Sequence, residues 1–197
     1  MDKEEYLKFI KDKLNSNSIE CEWWNRDAII GRYFLGVWTE KNSFDAWRYQ
    51  EIIFDKKPDI ILETGSFVGG SAFYIANIMD LINHGRIISI DNRDNGQFNI
   101  KHPRIEFRLG NCLNQEYSFK NEKIMVILDC DHSIEHVKYE LDKYSKYTTS
   151  GQYLIIEDTI VHGAIRSVDE FLNKNNDFSR ESEPLFTSNY GGYLKRK

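Results

Sequence analysis

The 197-residue chain has only three cysteines, Cys21, Cys112 and Cys130, too few and too odd in number for a disulfide framework. Two of them close apolar, strand-like stretches, as reduced thiols of a cytoplasmic protein would. No apolar run approaches the roughly 18 residues expected of a membrane span; the longest are like Ile124–Leu128. The opening MDKEEYLKFIKDK lacks the apolar core of a signal peptide. Positive charge is also short, with 26 Lys and Arg against 31 Asp and Glu and a net charge of -5. That balance excludes broad binding to nucleic acid, which needs a basic footprint to displace counterions. There is no internal repeat or low-complexity segment, so neither a solenoid nor a disordered linker is expected.

What is present suits a soluble globular domain: 41% hydrophobic, 29% charged and 14% aromatic residues. The length fits one α/β domain at 44–197 behind an N-terminal addition at 1–43. Within that addition, 2–14 reads as a charged helix. Trp23, Trp24, Tyr33, Phe34 and Trp38 form an aromatic stretch expected to pack as a flap or as a contact of a homo-oligomer. Phe44, Trp47, Ile52 and Ile53 loosely follow helical spacing, and Pro58 ends that segment.

From residue 60 onward, short apolar runs alternate with helix-like segments. The runs are 60–63, 86–91, 105–110, 123–129 and 152–158. Runs so continuously apolar predict parallel strands covered by helices on both faces. Helices are predicted over 70–83, 133–147 and 165–173. In the second, Val137, Leu141 and Tyr144 make an inward stripe, leaving Lys138, Glu140, Asp142 and Lys143 for the solvated face. In the tail, NYGG between two extended segments predicts a terminal hairpin.

Two sets of residues carry chemistry. The first is ILETGSFVGGS, an apolar strand turning through Gly65, Gly69 and Gly70 straight into a helix. Glycines admit a ligand close to the backbone, and the helix N-terminus offers free N–H groups, which favours a nucleotide-like ligand. The spacing is neither Gly-x-Gly-x-x-Gly nor a phosphate loop ending in Gly-Lys-Ser/Thr, which argues against NAD and ATP. Asp91 closes the next strand, where a carboxylate can accept from both ribose hydroxyls; a tight turn plus a strand-end cap is the plain alternative. Asn111 and Cys112 close the third strand, near an adenine position or in an ordinary turn.

The second set is acidic. Asp129, Asp131 and His132 follow the fourth strand, and Glu157 and Asp158 the fifth, all at the ligand-binding edge of such a sheet. Crowded carboxylates invite shared protons or a hard divalent cation, magnesium being the natural candidate. Helix capping by Asp131 or Ser133 accounts for part of the set but not for all of it. An imidazole titrates near about 6.5, so His132 is the candidate base. His136 and His162 belong to no motif and read as structural or surface residues.

ILETGSFVGGS, VILDCDHSIEHVKYEL, GQYLIIEDT and FTSNYGGYLKR together resemble the family of cephalosporin hydroxylases and rhamnosyl O-methyltransferases, from about residue 44 onward. FDAWRYQEIIFDKKPDIILETG is similar to that family's lead-in, which implies that Trp47, Tyr49 and Gln50 border the cofactor. The resemblance implies a Rossmann-like class I methyltransferase fold: a mostly parallel seven-stranded sheet, helices on both faces and a C-terminal antiparallel hairpin. It implies S-adenosylmethionine held by Glu63, Gly65, Ser66, Gly69, Gly70, Ser71, Asp91, Asn111, Cys112 and Gln50, with Mg2+ and methyl transfer to a sugar hydroxyl. More distantly, the acids resemble those of macrolide sugar and catechol O-methyltransferases. In the macrolide enzymes a metal-binding Asp precedes the basic His by three positions, as Asp129 precedes His132. In the cephalosporin-type relatives the first ligand matches Asp131 instead, so both stand as candidates beside Glu157 and Asp158. Iron hydroxylation normally needs two His and one carboxylate, which this carboxylate-rich set does not offer. A silent cofactor-binding partner is the remaining alternative.

Overall fold

A computed structural model describes residues 8, 30–160, 163–183 and 186–197. Most of the expected opening helix, together with Cys21, Trp23, Trp24 and His162, lies outside the described residues. A hairpin comes first, pairing β1 (Ile30–Phe34) with β2 (Val37–Asn42) through a turn in which Leu35 and Gly36 both have positive φ. Such a turn matches the right-handed twist of the strands. Asn42 then caps α1 (Ser43–Lys56), its side chain accepting from the Phe44 N–H.

The apolar runs become β3 (Ile60–Thr64), β4 (Arg86–Asp91), β5 (Ile105–Leu109), β6 (Ile124–Leu128) and β7 (Tyr153–Ile156). Between and after them lie α2 (Gly70–Leu81), α3 (Ile134–Tyr144) and α4 (Ile165–Lys174), followed by β8 (Phe178–Arg180) and β9 (Tyr193–Arg196). The sheet order is β5-β4-β3-β6-β7-β9-β8, with β3 to β7 parallel and β9 antiparallel to both neighbours. The chain builds outward from β3 to β5 and then restarts at β6, so the order reverses between β3 and β6. Ligands of open α/β sheets bind at that reversal, beyond the strand C-termini.

Alternation along the strands divides the core. Leu62, Ile88, Val126 and Leu154 pack with Val137, Leu141 and Val168 on one face, while Ile61, Ile87, Met125, Ile127 and Ile155 pack with Ile53, Ile75 and Met79 on the other. Helices therefore cover both faces, as the unbroken apolar runs predict. The terminal strands do pair antiparallel, but the connection runs over 181–192, and NYGG sits at the start of β9 rather than forming a tight hairpin turn.

Two helix faces differ from expectation. In α1 the buried residues are Asp45, Tyr49, Ile52 and Ile53, whereas Phe44 and Trp47 are exposed, the latter at 67%. Asp45 turns inward because its carboxylate accepts from Thr187 Oγ1, from the Ser188 N–H at 2.8 Å and from the Tyr193 hydroxyl at 2.7 Å, tying α1 to the C-terminal segment. In α3 the inward stripe holds, but Glu140 is buried with it, at 1% exposure, and is not on the solvated face. Among the described residues no helix is long and apolar enough to cross a membrane.

Candidate active site

A cavity of about 540 Å³ opens at the sheet's reversal point, between the turn after β3, the end of β4, the segment after β6 and the β1–β2 hairpin. Gly65 has φ +84°, and a Cβ there would stand 1.8 Å from the Asp129 carbonyl oxygen, so only glycine fits between the ends of β3 and β6. At Gly70 a Cβ would meet the Trp38 carbonyl oxygen at 2.0 Å, which places β2 directly over the start of α2. No side chain caps α2, so its first N–H groups are left for a ligand.

The remaining residues of the turn divide into those that line the cavity and those that brace it. Gly65, Ser66, Gly70, Ser71 and Asp91 line it. Glu63 is buried beneath, accepting from Ser71 Oγ at 2.5 Å and from Ser89 Oγ, and burial pushes its carboxyl above the usual range. Gly69 packs toward Phe107 and Ile100. Asp91 accepts from the Phe67 N–H at 2.8 Å and the Arg93 N–H at 3.0 Å, fixing the turn to the end of β4 while its carboxylate still borders the cavity. Gln50, Asn111 and Cys112 are not among the lining residues. Asn111 accepts from the Leu113 N–H at 2.8 Å, and the Cys112 thiol faces Cys130.

The strand-end acids separate in the same way. One ligand atom each of Asp129, His132 and Asp158 lies within 4.8 Å of the other two, a grouping able to hold a metal ion. His132 Nε2 stands 3.9 Å from Asp129 Oδ1 and 3.6 Å from Asp158 Oδ2. Asp158 reaches this position with φ +50°, its N–H donating to Asn189 Oδ1 at 2.9 Å. Burial first, and the Glu157 charge second, push Asp158 up to about 7. Asp131 borders the cavity but accepts from the Ser133 N–H at 2.8 Å, which holds its carboxyl below the ordinary value. Its carboxylate is outside the Asp129–His132–Asp158 group. Glu157 also points elsewhere, buried and accepting from Lys41 Nζ at 2.6 Å and from the Tyr49 hydroxyl.

Lys41 is the residue that sequence reasoning missed. Only 7% exposed, it enters from β2 and donates to both Glu157 and Asp129, the latter at 3.0 Å. Burial alone would lower its ammonium, but the Asp129 and Glu157 carboxylates outweigh that and hold it well above its ordinary value. Lysine is rarely buried unless paired. Its partners lie after β6 and β7, far along the chain, and no local spacing announces them.

The chain is similar to several known proteins. The family described as Rhamnosyl O-methyltransferase/CmcI matches residues 29–197. A rhamnosyl O-methyltransferase of Mycobacterium tuberculosis is 32% identical over 189 residues, covering 83% of this chain and 77% of the relative. That of Mycobacterium leprae is 31% identical, with 83% and 82% covered. Among solved structures, CmcI described with Mg and SAM superposes with a TM-score of 0.63 at 20% identity, over 91% of this chain and 85% of the other. A Bacillus cereus O-methyltransferase in complex with SAH gives 0.61 at 14%, over 94% and 91%. At those identities the two structures speak for the class I methyltransferase fold. With the family matched from the β1–β2 hairpin to the end of the sheet and curated relatives above 30% identity, the chain belongs to the Rhamnosyl O-methyltransferase/CmcI family.

Proposed function

We propose that the chain transfers the methyl group of S-adenosylmethionine to a hydroxyl of a sugar, with Mg2+ held by Asp129 and Asp158. The observation that carries this reading is the convergence of Asp129, His132 and Asp158 on the cavity that the glycine turn and Asp91 also border. Carboxylate oxygens are the donors a hard divalent ion takes. The close-packed glycines and the uncapped α2 N-terminus suit a nucleoside cofactor, with Asp91 at the ribose. One histidine with two carboxylates inverts the donor set of iron oxygenases, which supports methyl transfer over hydroxylation.

When bound, the metal supplies Lewis acidity to a coordinated hydroxyl and the cofactor supplies an electrophilic methyl. The chain supplies position and a proton acceptor. His132 Nε2, within 4 Å of both carboxylates, is placed to take the proton of an acceptor hydroxyl held between them. The β1–β2 hairpin lies over the turn as a flap, with Trp38 on the cavity wall, and excludes water from that side. Because β2 also delivers Lys41, we take the functional unit to begin near residue 29, where the family match starts, rather than at 44. The names of the curated relatives support a saccharide acceptor: a nucleotide-activated sugar, a cell-surface glycan or a glycosylated small molecule.

The direct test is incubation with labelled S-adenosylmethionine and a panel of sugar acceptors, with and without EDTA. Label appears in a sugar with Mg2+ and disappears with EDTA. Turnover that needs iron and oxygen, without release of S-adenosylhomocysteine, would sink the reading.

Proton and metal compete for Asp158. Its folded-state pKa of about 7 lies above the ordinary 3.8, so its contribution to stability is full below about pH 4 and is lost as pH rises through about 7. The thermal midpoint of the metal-free protein therefore falls between pH 6 and pH 8. Saturating Mg2+ raises the midpoint more at pH 8 than at pH 6, because at the lower pH it must displace a proton. Equal gains at both would remove Asp158 from the metal site.

A further inference from the structure

Beside the cavity, sharing Cys130 with its lining, lies a second set of donors that the proposed methyl transfer does not use. Cys112 sits in the 3-10 turn (Cys112–Asn114) after β5, Cys130 immediately after β6, and His136 and Glu140 one turn apart on α3. Positions i and i+4 of a helix share a face. Cys112 Sγ is 3.9 Å from Cys130 Sγ, 3.7 Å from His136 Nε2 and 3.8 Å from a Glu140 oxygen, while His136 Nε2 is 3.7 Å from the other Glu140 oxygen. A ligand atom of each residue lies within 4.8 Å of every other.

Zinc bonds of about 2.3 Å to sulfur and about 2.0–2.2 Å to nitrogen or oxygen, set at tetrahedral angles, require donor separations of roughly 3.4–3.8 Å. The four separations above, two of them to different Glu140 oxygens, lie within a few tenths of an ångström of that range, and the remaining two, from Cys130 to His136 and to Glu140, are under 4.8 Å. Thiolates with an imidazole favour zinc over the hard cations. The surroundings also admit a cation. Glu140 is 1% exposed and Cys112 4%, and among the described residues the His136 imidazole is the only basic group paired with Glu140. Burial pushes the Glu140 carboxyl up to about 8, so near neutrality it carries a proton that a cation can displace.

We propose that Cys112, Cys130, His136 and Glu140 form a structural zinc site distinct from the Asp129–His132–Asp158 group. All four tetrahedral positions are filled by the protein, leaving none for substrate, as in closed structural sites. On binding, the two thiol protons and the proton that burial keeps on Glu140 pass to solvent, and the thiolates, the neutral imidazole and the carboxylate coordinate the ion. The site clips the end of β5, the end of β6 and α3 together. Cys130 lies in the segment between Asp129 and His132, so the clip fixes the backbone that carries both.

The test uses the full chain without an affinity tag, reduced and stripped of metal, then titrated with Co2+ in buffer containing Mg2+. A thiolate-to-cobalt charge-transfer band in the near ultraviolet and intense visible bands of tetrahedral cobalt appear, saturate at equimolar metal and vanish on adding Zn2+. Cys112 and Glu140 are core residues, so the half-buried Cys130 and His136 carry the mutational arm, with circular dichroism as the check on folding. Cys130→Ser and His136→Ala each weaken zinc binding on the order of 100-fold or more, and Asp158→Asn leaves the thiolate band intact. Zinc also protects Cys130 from alkylation. Absence of the band in the reduced protein, or its survival in folded Cys130→Ser, overturns the proposal, as does its loss in Asp158→Asn.

Discussion

His132→Ala lowers kcat by about 10²–10⁴-fold, the usual contribution of a positioned general base, while S-adenosylhomocysteine binding measured by calorimetry is kept. The imidazole borders the cavity with Nε2 facing Asp129 and Asp158, not the Glu63–Ser71–Ser89 network under the glycine turn. On the proposed mechanism, removing it takes away the proton acceptor and leaves the glycine turn standing. At saturating Mg2+, where the competition of protons for Asp158 is suppressed, the variant also loses the part of the acidic limb of the pH–rate profile that reports the base. A kcat within about threefold of the parent chain, far below that range, would move the base elsewhere. A matched loss of cofactor affinity would assign His132 to binding.

Lys41→Met lowers stability by about 3–5 kcal/mol, the cost of removing one partner from a buried ion pair. For a chain of this size that is a fall in Tm of roughly 6–20 °C. Lys41 Nζ donates to Glu157 at 2.6 Å and Asp129 at 3.0 Å, and methionine would leave two inward carboxylates facing each other with no cation between. The folded-state pKa of Lys41 is raised, so its contribution is full below the unfolded value of about 10.4 and is lost only at higher pH. The deficit therefore spans the neutral range and shrinks in acid, where the carboxylates protonate. Thermal unfolding at pH 5 and pH 8 checks both statements. A Tm within about 2 °C of the parent at pH 8, worth less than ~1 kcal/mol, would show that the acids are held together without the lysine.

The parallel strands can be read directly, because strands buried on both faces read as near-continuous apolar runs: β6 is apolar and buried throughout, and β3 is buried throughout and apolar until Glu63. The glycine turn was equally visible, since Gly65 is demanded by a backbone approach and not by side-chain packing. Pairing across the chain was invisible. Lys41 and Tyr49 converge on Glu157 from β2 and α1, and the aromatic stretch before residue 43 gave no sign that it carried a site residue. Helix faces failed where polarity misled. Glu140 reads as solvated because it is charged, and the spacing of Phe44 and Trp47 gives Asp45 no inward place, yet both acids turn inward to partners that only the fold supplies. The acids after β6 and β7 were located to the right edge, but which of them face one another is a matter of direction. Asp131 bends toward the start of α3 and Glu157 toward Lys41.

Strand β9 lies between β7 and β8 although it follows both in the chain. A chain emerging from the ribosome must therefore present β7 with one edge open, and β8 without its partner, until β9 arrives to join them. Assembly of that side of the sheet is thus coupled to the arrival of β9: Tyr193, which begins β9, is also a partner of Asp45 in α1. A nascent chain paused before that point would offer an unpaired strand to its neighbours, and chaperone capture would concentrate in that interval.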